Sequence, residues 1–507
     1  MIEQRKAVGV KSVSSREGLL RVQIVEGGRL APARVHLRAS DGRWRCPPGC
    51  IPYEKDEHFT TMGSFALSLP VGSTSITIER GKEWEPITDS FTMRGGKVVS
   101  RRYELHRWID MARLGWYSGD THVHRPIRQM LHLMEAEDLN VAPVITVWNE
   151  WDAWHGKLPG RRRIVTRGRR AYGVLSQEDE RGGGALIGFD LVRPVRMRTT
   201  RWYPAQVVYA KRWKRQGALV EQEKPFWLEA PVNVALGVVD VIGIVNNHMQ
   251  RADVMDHEAW GRPRDRRKYP GKMGYVRNVL DLYYRYLNLG IKIPISAGSA
   301  SGVLRNPLGY NRLYVRLEEG FSYEGWFRGM KAGRGFATNG PMLFLEVGGR
   351  TPSLTESLPR FSCVELKIKT LSANGLRFVD LVRNGKVYRR FHLQGQREFE
   401  AIVQLKLKES CWIAARAFEE NERTVRLAHS NPVFLEADCQ PMTPSQDDAL
   451  YYARWCEDLL RGLREEPGRF VSDRQRAEVE RAYRSAISFY QGLAARAGPN
   501  ERDCNNR

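Results

Sequence analysis

Cysteine is scarce, with seven residues in a chain of 507. Only Cys46 and Cys50, in Cys-Pro-Pro-Gly-Cys, are closely spaced, and no second pair completes a four-thiolate zinc site. The pair fits a local disulfide or two unconnected thiols equally well. The full set does not describe a disulfide scaffold. Long apolar runs are also missing. None approaches the roughly 20 residues of a bilayer-spanning helix, so no membrane span is expected. Residues Met1 to Gly18 are polar and carry no apolar signal core. A cytoplasmic location is the default expectation, and an exported mature form stays open. Internal repeats and low-complexity tracts are absent. Acidic side chains are outnumbered, 58 against 80 basic ones, for a net charge of +22. That excess favours an anionic partner. The basic clusters are Arg161-Arg162-Arg163, Arg167 to Arg170, Lys211 to Arg215 and Arg262 to Lys268. No helix-turn-helix, zinc-finger or RNA-recognition signature accompanies them, so nucleic-acid binding is disfavoured against a solvated basic surface.

What is present is the composition of a folded multidomain chain. Apolar residues make up 42% and charged residues 27%. Residues 1–106 alternate in the manner of strands, with Leu20, Val22 and Ile24, then Val35, Leu37 and Ala39, then Phe65, Leu67 and Leu69. Gly and Pro punctuate them, which predicts a small antiparallel sandwich. From 107 to 340 the pattern changes to near-continuous apolar runs at Val141 to Val147, Val238 to Val245 and Ile291 to Ala297. Buried parallel strands look like this. Val276, Leu280, Tyr283 and Leu287 recur at helical spacing between the last two, so an α/β barrel or layered sheet is expected. From 341 to 440 alternation returns, and Asn374-Gly375 and Asn384-Gly385 predict hairpin turns of a second sandwich. From 441 to 507 two helices are expected, opened by Ser445 and Ser472 and docked through Val479, Tyr483, Ala486, Tyr490 and Ala494.

His122 and His124 form the sharpest chemical pattern. Side chains at i and i+2 of a strand share a face, so both imidazoles can reach one ion. Asp120 lies two residues earlier and is a candidate ligand, outer-shell partner or proton acceptor. His248 closes the Ile244-Val245-Asn246-Asn247-His248 run just past an apolar strand, and Glu223 ends another short strand. Strand ends are where α/β barrels place their chemistry. The small, amide-rich stretch Gly298-Ser299-Ala300-Ser301-Gly302 leads on to Arg312. It is expected either to hold an anion through backbone donors and Arg312, or to be a tight turn.

Gly115-Trp116-Tyr117-Ser118-Gly119-Asp120-Thr121-His122-Val123-His124 resembles the opening motif of the PHP metallohydrolases, in the carbaryl hydrolase (CehA/McbA-like) branch. The resemblance extends more weakly from about Arg107 to Thr338. It implies a distorted (β/α)7 barrel flanked by β-sandwiches, with metal ions at the strand ends. It also implies hydrolysis of phosphoesters, carbamates or other esters. Glu178 matches the bridging carboxylate. Several positions depart from the pattern. Thr146-Val147-Trp148-Asn149 stands where Thr-Asp-His-Asn is usual, Lys224 replaces a histidine, and Ala300 and Gly302 stand where the last Asp and His belong.

Two accounts follow. In the first, a reduced site of His122, His124, His248, Glu178 and Glu223 holds one or two Zn²⁺, Mn²⁺ or Fe²⁺ ions. Asp120 and Lys224 then serve the chemistry, and Trp148, Asn149, Asn247, Ser299, Ser301 and Arg312 bind a small-molecule or anionic substrate. In the second, the barrel is a non-catalytic scaffold that binds a glycan or other polymer.

Overall fold

The computed structural model describes residues 15–157, 159, 160 and 162–497. Arg161, Cys504 and residues 1–14 of the polar opening segment lie outside them. The chain is mixed α/β and rich in strands. It forms two compact units. One comprises residues up to Met111 together with Arg128–Leu139, and the other comprises Ala112–Ile127 and everything from Asn140 onward.

In the first unit, Glu17–Glu26 pairs with Arg29–Leu30, Ser64–Pro70 and Val98–Glu104. A second sheet runs Ile51–Tyr53, His58–Thr61, Ala33–Arg38, Gly72–Glu79, Ile87–Met93. The alternating residues Leu20, Val22, Ile24, Val35 and Leu37 are buried in one core shared by the two sheets. The helix Met130–Ala136 belongs here too. Arg34 pairs with Glu137 at 2.9 Å and Arg107 with Asp138 at 2.6 Å. Glu137 and Asp138 therefore each meet an arginine.

In the second unit, Val141–Trp148 lies parallel to Trp116–Gly119 and to Arg170–Arg181. Pairing continues through Gly184–Phe189, Leu219–Gln222 and Val241–Val245 to Ile295–Ala297. Beyond Gly119 the chain stays extended, and Val123 bridges Val144 on one side and Ser301 on the other. The Thr121 amide donates to the Ala297 carbonyl at 3.0 Å. The circuit of pairings thus returns to its start. Val141 to Val147 are buried throughout, as a strand covered on both faces requires. The Gly271–Asn288 helix buries Val276, Leu280, Tyr283 and Leu287.

Residues 342–437 extend the sheet with two 21-residue arms, Cys363–Arg383 and Lys386–Lys406. Asn384 and Gly385 form the expected two-residue turn, both with positive φ. Asn374-Gly375 is not a turn. It sits inside the first arm, where the register breaks between Leu371 and Leu376. Asn374 Nδ2 donates to Glu419 Oε2, and a Cβ on Gly375 would lie 2.9 Å from Gly395 Cα. The glycine thus serves a close strand approach at an irregularity. Helices Gln446–Glu465 and Asp473–Arg496 follow, with Ser445 and Ser472 capping as expected. Tyr490 and Tyr483 of the last helix donate to Pro231 O and Glu229 Oε1. No helix among the described residues is long and apolar enough to cross a membrane.

His429 carries a pH prediction. Its Nδ1 donates to the Ser430 carbonyl at 2.6 Å, and its Nε2 accepts from Tyr284 Oη at 2.7 Å. Burial lowers its pKa to about 3. The unfolded chain takes up this proton below its ordinary pKa near 6.5, and the folded chain does so only near 3. Stability from this residue is therefore complete above about pH 6.5 and declines on acidification, by about 2 kcal/mol at pH 5. Urea midpoints at pH 7.5 and 5.0 check this. His429→Phe should shrink the difference between the two pH values by that amount, and an unchanged difference contradicts it.

Candidate metal centre

His122 and His124 lie just past the Trp116–Gly119 strand, not within it. The bridges of Val123 to both neighbouring strands keep the segment extended, so its alternation still places the two imidazoles together. Their Nε2 atoms are 3.0 Å apart. Glu178 reaches them from the Arg170–Arg181 strand, with Oε2 3.2 Å from His124 Nε2 and Oε1 3.5 Å from His122 Nε2. Glu178 lies inside the strand and pairs in register with Trp148. Ligand atoms about 2.0–2.2 Å from one tetrahedral ion lie roughly 3.3 Å from each other. The three side chains match that spacing. All three are buried or nearly so, and Glu178 Oε2 makes no conventional hydrogen bond. Two imidazoles and a carboxylate form a donor set that suits a first-row divalent cation. The group can therefore hold one.

Glycine makes the approach possible. A Cβ on Gly298 would lie 2.4 Å from His122 Cβ, and one on Gly302, at φ 108°, would lie 2.6 Å from the His124 carbonyl oxygen. Any larger residue at either position would push the histidines away.

The surroundings are strongly charged. Glu223 stands behind His122, its Oε1 3.6 Å from Nδ1. Burial alone would lower the His122 pKa, but Glu178 and Glu223 raise it to about 9. Burial lowers that of His124. Glu223 is held by the adjacent Lys224 ammonium and by Trp227 Nε1 at 2.9 Å. Burial raises the Glu223 pKa, yet Lys224 and His122 together pull it well below the carboxylate range. Glu221 is fully buried and receives Ser296 Oγ at 2.7 Å on Oε1. Burial pushes its pKa up to about 7, against the pull of Ser296 and His122. Glu180, two residues beyond Glu178, is raised to about 7 by burial and by Glu178.

Several sequence expectations change here. Glu223 meets the far nitrogen of His122 and lies outside the His122, His124 and Glu178 group. His248 stands apart from the His122, His124 and Glu178 group. Its Nδ1 faces the His257 carbonyl at 3.0 Å, and it stacks on Tyr275. Asp120 accepts three backbone amides, from His122, Ser299 and Gly309. Burial raises its pKa against the pull of these amides, which tie it to the loops. The backbone donors of the Gly/Ser loop thus meet an internal carboxyl group. Arg312 is fully buried and its Nε donates to the Gly309 carbonyl at 2.6 Å, so it braces that loop.

Ser299 Oγ donates to the Asn311 carbonyl. The Ser301 carbonyl receives the His124 amide, and its buried Oγ has no hydrogen-bond partner. Asn247 is buried and accepts Asn306 Nδ2 through its carbonyl. Lys224 is closed in with Glu223 and Trp227. Trp148 packs beside His124 with ring centroids 5.1 Å apart. Trp151 is 54% exposed. Asn149, at φ 52°, clamps the 170–181 strand by exchanging side-chain bonds with the Glu180 backbone.

A cavity of about 890 Å³ opens beyond Asn149 and is lined among others by Val147, Asp152, Arg196, Arg198 and Tyr203. None of the three clustered side chains lines it.

Glu221 and Glu180 were not expected from the sequence. The signal for them is the one that found the histidines: Glu221 with Glu223, and Glu178 with Glu180, repeat at i and i+2.

No protein-family model and no curated protein matches the chain. Two solved structures match in part, both of a CARDB domain from Pyrococcus furiosus. One was solved by NMR in solution and the other as a crystal in complex with di-metal ions. They are 18% and 19% identical to this chain, cover 19% of it and 95% and 96% of their own length, and have a TM-score of 0.14. That likeness is too slight to bear on the site.

Proposed function

We propose that the second unit is a metal-dependent hydrolase on a PHP-like (β/α)7 barrel, cleaving an ester, carbamate or phosphoester. The observation that supports this best is the His122, His124 and Glu178 group, whose facing atoms lie 3.0 to 3.5 Å apart. Three ligands suit a single Zn²⁺, Mn²⁺ or Fe²⁺. A bound divalent cation supplies Lewis acidity and makes a water acidic enough to react near neutral pH. The chain's own residues do the rest. Glu223 fixes the His122 ring through Nδ1, and Lys224 and Trp227 fix Glu223. Glu221 accepts and returns a proton near neutrality, where a carboxyl pushed up to about 7 is effective. The alternative, a non-catalytic scaffold for a glycan or anionic polymer, draws on Ala300 and Gly302, where the resemblance calls for ligand side chains.

The test is hydrolysis of an aryl ester, an aryl carbamate and an aryl phosphate by the purified protein, before and after chelation and after re-addition of each ion. Turnover of one class that falls on chelation and returns with metal supports the hydrolase. Absence of turnover in all three classes with metal present favours the scaffold.

A further inference from the structure

The first unit contains a second group of metal-ligating side chains, unrelated in sequence to the first. His36 lies in the Ala33–Arg38 strand and His58 opens the His58–Thr61 strand beside it. These strands run antiparallel, with Arg34 opposite Thr60 and Val35 opposite Phe59. The next step in that register sets His36 against His58, and their rings meet edge to face with centroids 5.4 Å apart. Asp56, on the short turn before His58, places Oδ2 3.0 Å from His58 Nδ1 and 3.9 Å from His36 Nε2. One ligand atom from each of the three lies within 4.8 Å of the other two. Glu79, at the end of the strand on the other side, brings Oε2 to 3.4 Å from the same His36 nitrogen.

We propose that His36, Asp56 and His58 form a second divalent-metal site, a Zn²⁺-type His₂Asp centre with a Glu79 oxygen as the fourth ligand. It ties two strands and the intervening turn of the first unit. Two features support it beyond proximity. The donor set is two imidazoles and a carboxylate, which suits zinc and its first-row neighbours. His36 Nε2 is buried and makes no hydrogen bond. A buried nitrogen of that kind calls for a partner, and a cation is the partner a lone pair can take. The competing account is an internal His-Asp hydrogen-bond network that takes no ion.

This site stands whether or not the second unit is a hydrolase. The experiment is elemental mass spectrometry of the full chain after equilibration with micromolar Zn²⁺ at pH 7.5 and removal of unbound ion. Wild type is compared with His36→Gln, Asp56→Asn and His122→Gln/His124→Gln. His36 is partly exposed, so His36→Gln should leave the fold intact, which circular dichroism checks. The proposal expects His36→Gln and Asp56→Asn each to hold one equivalent less than the wild type, whatever the His122 group holds. It also expects the His122→Gln/His124→Gln chain to retain one equivalent. Equal zinc content in wild type and a folded His36→Gln overturns it and leaves the internal network.

Discussion

Glu221→Gln lowers hydrolytic kcat/KM by about 10²–10⁴-fold, the range for removal of a general base. The amide is nearly isosteric and keeps an oxygen for Ser296 Oγ, so the loss reports the proton and not the packing. Glu221 suits the role because burial pushes its pKa up to about 7 while His122 lies within electrostatic reach. In the wild type the rate should rise with pH along an acidic limb at or below about 7. A cation bound beside His122 favours the carboxylate and moves that limb down. The variant should lose the limb. The fold should not suffer. A carboxyl whose folded pKa is raised contributes most below its unfolded value near 4.5, and that contribution is lost as the pH climbs toward 7. An amide does not titrate, so the variant should be at least as stable as the wild type at pH 8. Rate profiles of both proteins on the responding substrate class check this. A variant with unchanged rate and unchanged limb removes Glu221 from the chemistry.

Lys224→Met destabilises the protein by about 3–5 kcal/mol, the cost of leaving one half of a buried ion pair uncompensated. Glu223 and Lys224 are both buried, and Glu223 also faces His122. Without the ammonium the carboxylate keeps only Trp227 Nε1 and the imidazole edge, and its pKa must rise. The fall in stability should therefore be larger at pH 8 than at pH 5, where Glu223 can protonate. Glu223→Gln/Lys224→Met removes both charges and should recover most of the loss, since a neutral pair of similar volume carries no desolvated ion. Urea unfolding at the two pH values measures all three proteins. A loss under about 1 kcal/mol for Lys224→Met, the size of an exposed pair, contradicts the account.

The fold was legible where one local pattern decides the element. Leu20, Val22 and Ile24 face a sandwich core because alternation in a half-buried strand leaves no other arrangement. The last helix is marked by Ser472 and the Val479 to Ala494 stripe, which are local to it. Asn374-Gly375 misled because the same dipeptide serves a turn and a strand irregularity, and the difference lies in Gly395 and Glu419 across the sheet. The site divides in the same way. His122 and His124 were legible because both donors sit in one extended segment. Glu221 was missed although it shares that spacing with Glu223. The role of Asp120 was not legible, because its three amide donors include Ser299 and Gly309, about 180 residues away in sequence. Glu223 belongs behind His122 and not beside it, a distinction set by which ring nitrogen it meets.

The most direct measurement is the metal content of the purified full chain, wild type beside His122→Ala/His124→Ala. His36→Gln is the common background, so that only the His122, His124 and Glu178 group is counted. The account predicts one equivalent of Zn²⁺, Mn²⁺ or Fe²⁺ in the protein with the two histidines and none in the protein without them. Equal metal in the two, or none in either after all three ions have been offered, contradicts it.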